Sequence, residues 1–120
     1  MSVFKTDQRA FAYLQRLLDD VEDLKEIISA PPLSQEKRNT ARSRLIDLKI
    51  RLLEYCNKRN TAAARKKMSK AEASIVFPAM NGAFGELKTK IGSYPSANWT
   101  ASLSGVAVIL RQYLPQKNEQ

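Results

Sequence analysis

The chain contains no histidine, and Cys56 is the only cysteine among its 120 residues. Without histidine the commonest general base and the commonest zinc ligand are both missing, and one cysteine can form neither an internal disulfide nor a Cys-His pair. The expectation is a protein that is not an enzyme, with no catalytic residues, no cofactor and no metal site. Cys56 lies beside an apolar seam and reads as a buried, inert thiol. Glycine and proline are scarce, at 4 and 5 residues, which argues against a fibrous or disordered chain. Long apolar runs are missing as well. The longest charge-free stretch, residues 91–110, is interrupted by Gly92, Pro95 and Asn98 and does not match the roughly 20 apolar residues that span a bilayer. No transmembrane segment is expected. Neither G-x-G-x-x-G nor a P-loop occurs, and Gly82 and Gly85 fall inside a helical pattern, where they read as sites of close helix packing. Met1 to Lys5 lead straight into an amphipathic pattern with no n-region, h-region or cleavage site. The expectation is a cytoplasmic protein or a mature form whose targeting sequence has been removed.

What the sequence does contain is helical periodicity. Asp7, Ala10, Leu14, Leu17, Val21, Leu24 and Ile28 recur at alternating spacings of three and four, with Phe11 and Leu18 widening the stripe. Pro31-Pro32 stops this helix and Ser34 caps the next. The second seam is Ala41, Leu45, Leu48, Leu52 and Tyr55, flanked by Ile46 and Leu53. Residues 62–67 read as a basic, partly helical bridge. Ser69-Lys70-Ala71-Glu72 has the capping-box pattern, opening a third helix with seam Ala73, Val76, Met80, Ala83 and Leu87. Phe84 and Ile91 lie beside that seam, Pro78 is a kink or first-turn position, and Gly92 is the C′ stop. The last helix has the seam Trp99, Leu103, Val106, Leu110 and Tyr113. Asn98-Trp99-Thr100 fits a glycosylation sequon, but Thr100 is read as the helix N-cap. The prediction is a single all-α domain over 1–120, an antiparallel up-down-up-down four-helix bundle. Its helices lie at about 6–29, 35–58, 70–91 and 99–114, with a flexible tail at 115–120.

Charge carries the functional signal. The acidic residues of the first helix, Asp19, Asp20, Glu22, Asp23 and Glu26, spread around its polar side and read as a solvated face, not a metal or acid-base site. The net charge of +8 is uneven: −2 over residues 1–30, +5 over 31–60, +4 over 61–95 and +1 over 96–120. The candidate partner-binding surface is therefore Arg42, Lys49, Arg51, Lys58, Arg59, Arg65, Lys66, Lys67 and Lys70. Such a surface steers an acidic partner. The partner is expected to be an acidic protein surface or, as the alternative, nucleic acid bound by a small basic accessory protein of a ribonucleoprotein complex. The basic stretch lacks interleaved aromatics for base stacking, which weighs against the alternative.

The string from Asp23 to Pro32, followed by Glu36-Lys37, resembles the corresponding stretch of the PsbQ-like extrinsic subunits of photosystem II. Ala63-Ala64-Arg65-Lys66-Lys67 and Ala71-Glu72 are similar to the basic bridge and following helix of that family, allowing an insertion of about a heptad. Phe77, Met80, Ala83, Leu87, Ser93, Tyr94 and Pro95 resemble the third helix of a lumenal photosystem II assembly factor of the same architecture. The last helix departs from both patterns, and the extended N-terminal arm of the plant proteins is missing. The resemblance implies an extrinsic subunit of the oxygen-evolving complex, or an assembly factor, in the thylakoid lumen. Such a protein docks on photosystem II lumenal subunits and helps retain the calcium and chloride of the manganese cluster, with no metal of its own.

Overall fold

The computed structural model describes residues 4–29, 34–87 and 97–115. Among them all regular structure is helical, with four long helices as in a helical bundle. Helix α1 spans Asp7–Ser29 and α2 spans Gln35–Arg59. A short α3, Ala62–Lys66, is followed by a π-helical turn, Glu72–Val76, which runs directly into α4, Phe77–Leu87; α5 is Ala97–Gln112. No helix among the described residues is long and apolar enough to cross a membrane. Pro31, Pro32, Ile91, Gly92 and the tail 116–120, all given roles above, lie outside the described residues.

The starts of these helices follow from small polar residues that satisfy otherwise orphaned N–H groups. The Thr6 hydroxyl accepts from Arg9 N at 3.2 Å, that of Ser34 from Lys37 N at 3.2 Å and that of Thr61 from Ala64 N at 3.1 Å. Ser69 accepts from Glu72 N at 3.0 Å, the N-cap half of the expected box. The last helix begins earlier than its sequence suggests. With α5 starting at Ala97, Thr100 lies inside the helix and is not its cap.

One hydrophobic cluster runs through the molecule. Ala10, Leu14, Leu17, Leu18, Val21 and Leu24 of α1 meet Ala41, Leu45, Leu48, Leu52 and Tyr55 of α2. Val76, Met80, Ala83 and Leu87 complete it from the π turn and α4, with Trp99, Leu103, Val106 and Leu110 from α5. Helix α1 packs on α2, α5 and the π turn, while α4 packs on α2 and α5. Each fully buried aliphatic side chain contributes roughly 1.5–3 kcal/mol, so this cluster carries the fold. Cys56 is buried as expected, its thiol facing the Met80 carbonyl at 3.8 Å, and burial pushes its pKa up, which disfavours the nucleophilic thiolate.

Seam assignments change on α1, on α2 and at the π turn; Asp7, expected to open the α1 seam, is exposed in the first turn of the helix. Ile46 and Leu53, expected beside the core, are 44% and 41% exposed, and Ile50 is 46% exposed. Ala73, expected in the core, is exposed, and Glu72 takes its place at 1% exposure. The π turn is the reason. Its wider turn, in which Phe77 N–H bonds Glu72 O, rotates Ala73, three before Val76, off the core face and keeps Glu72, four before it, on that face, whereas an α-helix leaves both near it. Pro78, one residue past this bond, has no N–H to donate, so the irregular turn sits where the α-helical ladder is already broken.

The glycines divide. A Cβ on Gly82 would stand 3.0 Å from Cγ2 of Ile109, so α4 and α5 approach closely there, whereas a Cβ on Gly85 meets nothing within 4 Å. The close-packing role belongs to Gly82 and not to Gly85. Gly85→Ala should raise the unfolding free energy by about 0.5–1 kcal/mol through helix propensity alone. Gly82→Ala should gain less or lose stability; urea titrations of the pair check the contrast.

Candidate docking surface

Basic residues follow one another through the second half of α2, α3 and the start of the next helix because these segments need few apolar positions. On α2 the core takes Ala41, Leu45, Leu48, Leu52, Tyr55 and Cys56, and the remaining faces are open to charge. Helix α3 has no buried residue. Its short Ala-rich run favours helix by propensity alone.

The nine predicted residues do not form one surface. Arg42 and Lys49 each lie nine positions before Arg51 and Lys58, which at about 100° per residue places the two pairs half a turn apart on α2. Lys49 lines a shallow groove with Ile46, Ile50, Leu53 and Phe84. On the other side Arg51 reaches Asp20 of α1 at 3.2 Å, beside a cleft of about 260 Å³ that Asp23, Arg44 and Asp47 also line. The acidic face of α1 is thus partly engaged: Glu22 pairs with Lys25 at 3.5 Å and with Arg111 of α5. Such exposed pairs contribute about 0–1 kcal/mol each. No cluster of three or more potential metal ligands occurs among the described residues.

The other six residues lie at the α2–α3 end, and all but Arg59 are exposed: Lys58, Arg65, Lys66, Lys67 and Lys70. Arg65 donates to Asn60 Oδ1 at 2.7 Å, and its guanidinium sits 5.6 Å from the Phe77 ring centroid, a cation–π arrangement. Lys66 and Lys67 are held at the end of α3 by its Thr61 cap and by the Lys67 N–H bond to the Ala64 carbonyl at 3.1 Å.

Arg59 has a different task. Its Nε donates to Glu72 at 2.8 Å and its guanidinium stacks 4.5 Å from the Tyr55 ring centroid. The Tyr55 hydroxyl donates to the same Glu72 carboxylate oxygen at 2.6 Å. Burial, and then the bond to Glu72, push the Tyr55 pKa well above the ordinary phenol range; Tyr13 is also raised, chiefly by burial. Ser69, which caps Glu72, also donates to the Phe4 carbonyl, and Phe4 packs edge-on against Tyr13 at 5.0 Å. This buried polar knot fixes the N-terminal segment, α2 and the π turn relative to one another, and so positions the basic end. Its key residue, Glu72, was legible only as half of a capping box. Arg59 counts as a support of the basic surface and not as part of its exposed face.

A phenol whose pKa is raised on folding binds its proton more tightly in the native state, so stability is fully present below the unfolded phenol pKa near 10 and falls as pH rises beyond it. Stability should therefore decline above about pH 10, and Tyr55→Phe should flatten that decline while lowering stability near neutrality. Urea midpoints from pH 8 to 11 measure both effects.

Compared with protein-family models, with curated proteins and with solved structures, the chain matches none.

Proposed function

We propose that the chain is a non-catalytic docking protein, an antiparallel up-down-up-down four-helix bundle that engages an acidic protein surface through its α2–α3 end. The observation that carries the reading is the group of exposed cations Lys58, Arg65, Lys66, Lys67 and Lys70 on a base braced by the buried Tyr55–Arg59–Glu72 contacts. A rigidly presented basic patch favours fast, salt-sensitive association with an acidic partner. The sequence resemblance to PsbQ-like subunits supplies the partner: lumenal subunits of photosystem II, with the protein working in the thylakoid lumen as an extrinsic subunit or assembly factor that supports oxygen evolution.

The test is charge reversal that spares Arg59. The triple variant Lys58→Glu/Lys66→Glu/Lys67→Glu should weaken docking by about tenfold or more at low salt. Its far-UV circular dichroism should be unchanged, because exposed charges contribute little to folding. Undiminished binding by this variant would remove the α2–α3 end from the interface.

A further inference from the structure

The face of α2 that the core leaves uncovered has its own pattern. Ile46, Ile50 and Leu53 are each more than two-fifths exposed and follow one another at spacings of four and three. They border the groove shared with Lys49 and Phe84. In a coiled-coil heptad they occupy d, a and d, with Asn39 at the preceding d, Ser43 at the preceding a and Asn57 at the following a. The flanks then have opposite charge. Arg42 and Lys49 fall at g, and Asp47 and Glu54 fall at e.

From this arrangement we infer that the chain self-associates as a two-fold dimer in which α2 of each copy lies parallel to α2 of the other. In a parallel pair each g residue meets the e residue five positions further along the partner helix. That rule matches Arg42 with Asp47 and Lys49 with Glu54, twice each by symmetry. In an antiparallel pair g positions flank g positions and e positions flank e positions, which sets the cations Arg42 and Lys49 on one edge and the carboxylates Asp47 and Glu54 on the other against their own kind, so charge selects the parallel form. A β-branched residue at a with leucine at d favours two strands, and an asparagine at an a position fixes register; Ile50, Leu53 and Asn57 meet these conditions. The second copy is therefore the occupant that both the apolar stripe and its two charged edges fit. Lys58 is half a turn away from Lys49 on α2, so the dimer leaves it uncovered, and the inference stands or falls independently of the proposed docking.

Three apolar layers per helix make a short interface, and the dissociation constant should be roughly 10–100 μM. Sedimentation equilibrium of the full chain from about 5 to 500 μM should show a monomer–dimer equilibrium that Ile50→Glu weakens by at least about tenfold with helicity retained. Lys49→Glu should also weaken it, and Lys49→Glu/Glu54→Lys should restore it, because the swap rebuilds the g–e pairing. In a Cys56→Ala background, Ser43→Cys should oxidise to a covalent dimer, since position 43 faces itself only in the parallel form. A chain that stays monomeric throughout, a dimer indifferent to Ile50→Glu, or a dimer in which Ser43→Cys fails to cross-link and the charge swap fails to rescue would each overturn the inference.

Discussion

Arg59→Met should lower the unfolding free energy by about 3–5 kcal/mol, and Glu72→Leu by distinctly less. The reason is the unequal burial of the two partners. The Glu72 side chain is 2% exposed, whereas that of Arg59 is 26% exposed. Removing the guanidinium takes the Arg59 charge from an almost wholly buried carboxylate that still accepts from the Tyr55 hydroxyl. A buried pair broken in this sense costs about 3–5 kcal/mol. Removing the carboxylate instead strands an arginine with a flexible stem and an open path to solvent, so its charge rehydrates. For a chain of this size the Arg59→Met loss corresponds to a fall in Tm of about 10–20 °C. The double variant Glu72→Leu/Arg59→Met should recover much of the loss, since well-packed apolar replacements of a buried ion pair are often neutral or better. Urea denaturation of the two single variants and the double variant, read as a cycle, separates the pair energy from packing. Equal losses in both single variants would mean that burial does not set the asymmetry.

Trp99→Ala should destabilise by about 3–5 kcal/mol, the range for deleting a buried aromatic, whereas Trp99→Phe should stay within about 1–2 kcal/mol of the parent. Trp99 is 1% exposed, the largest of the fully buried side chains, and its Nε1 has no hydrogen-bond partner among the described residues. Two effects therefore oppose each other in the phenylalanine variant. The smaller ring leaves a void, but it removes a buried donor whose desolvation costs about 1–3 kcal/mol when unmatched. The alanine variant has the void without the compensating ring contacts. Trp99 is the sole tryptophan, so the transitions must be followed by circular dichroism at 222 nm. A large loss in Trp99→Phe would show that the indole N–H is satisfied in solution.

Regular periodicity made most of the fold legible. The seams of α1, α2 and α5 follow an unbroken heptad-like rhythm, and the buried Leu14, Leu17, Val21, Leu45, Leu48, Leu52, Leu103 and Val106 are the residues that rhythm selects. It failed where the backbone departs from 3.6 residues per turn. The π turn at Glu72–Val76 swapped Ala73 for Glu72 in the core, and no side-chain pattern announces a wider turn except the nearby Pro78. The outer stripe of α2 was misplaced for a different reason. Ile46 and Leu53 neighbour core positions in sequence, and hydrophobicity alone does not say which side of a helix its neighbours cover.

The basic surface was legible as composition but not as geometry. Net charge per segment located it in the middle of the chain, yet only helical angle separates Lys49 from Lys58, and only tertiary contact pairs Arg51 with Asp20 at the surface and turns Arg59 inward to Glu72. Long flexible cations look alike in a sequence whether they meet solvent or a buried carboxylate.

The measurement that bears most directly on the docking reading is a pair of titrations, at low and at moderate salt, against salt-washed photosystem II membranes and against single-stranded and duplex nucleic acid. The expected result is saturable membrane binding that restores oxygen evolution and is lost in the Lys58→Glu/Lys66→Glu/Lys67→Glu variant, with no nucleic-acid binding at moderate salt. Nucleic-acid affinity that falls steeply with salt, with no rebinding to the membranes, would contradict it and leave the resemblance as shared helical patterning.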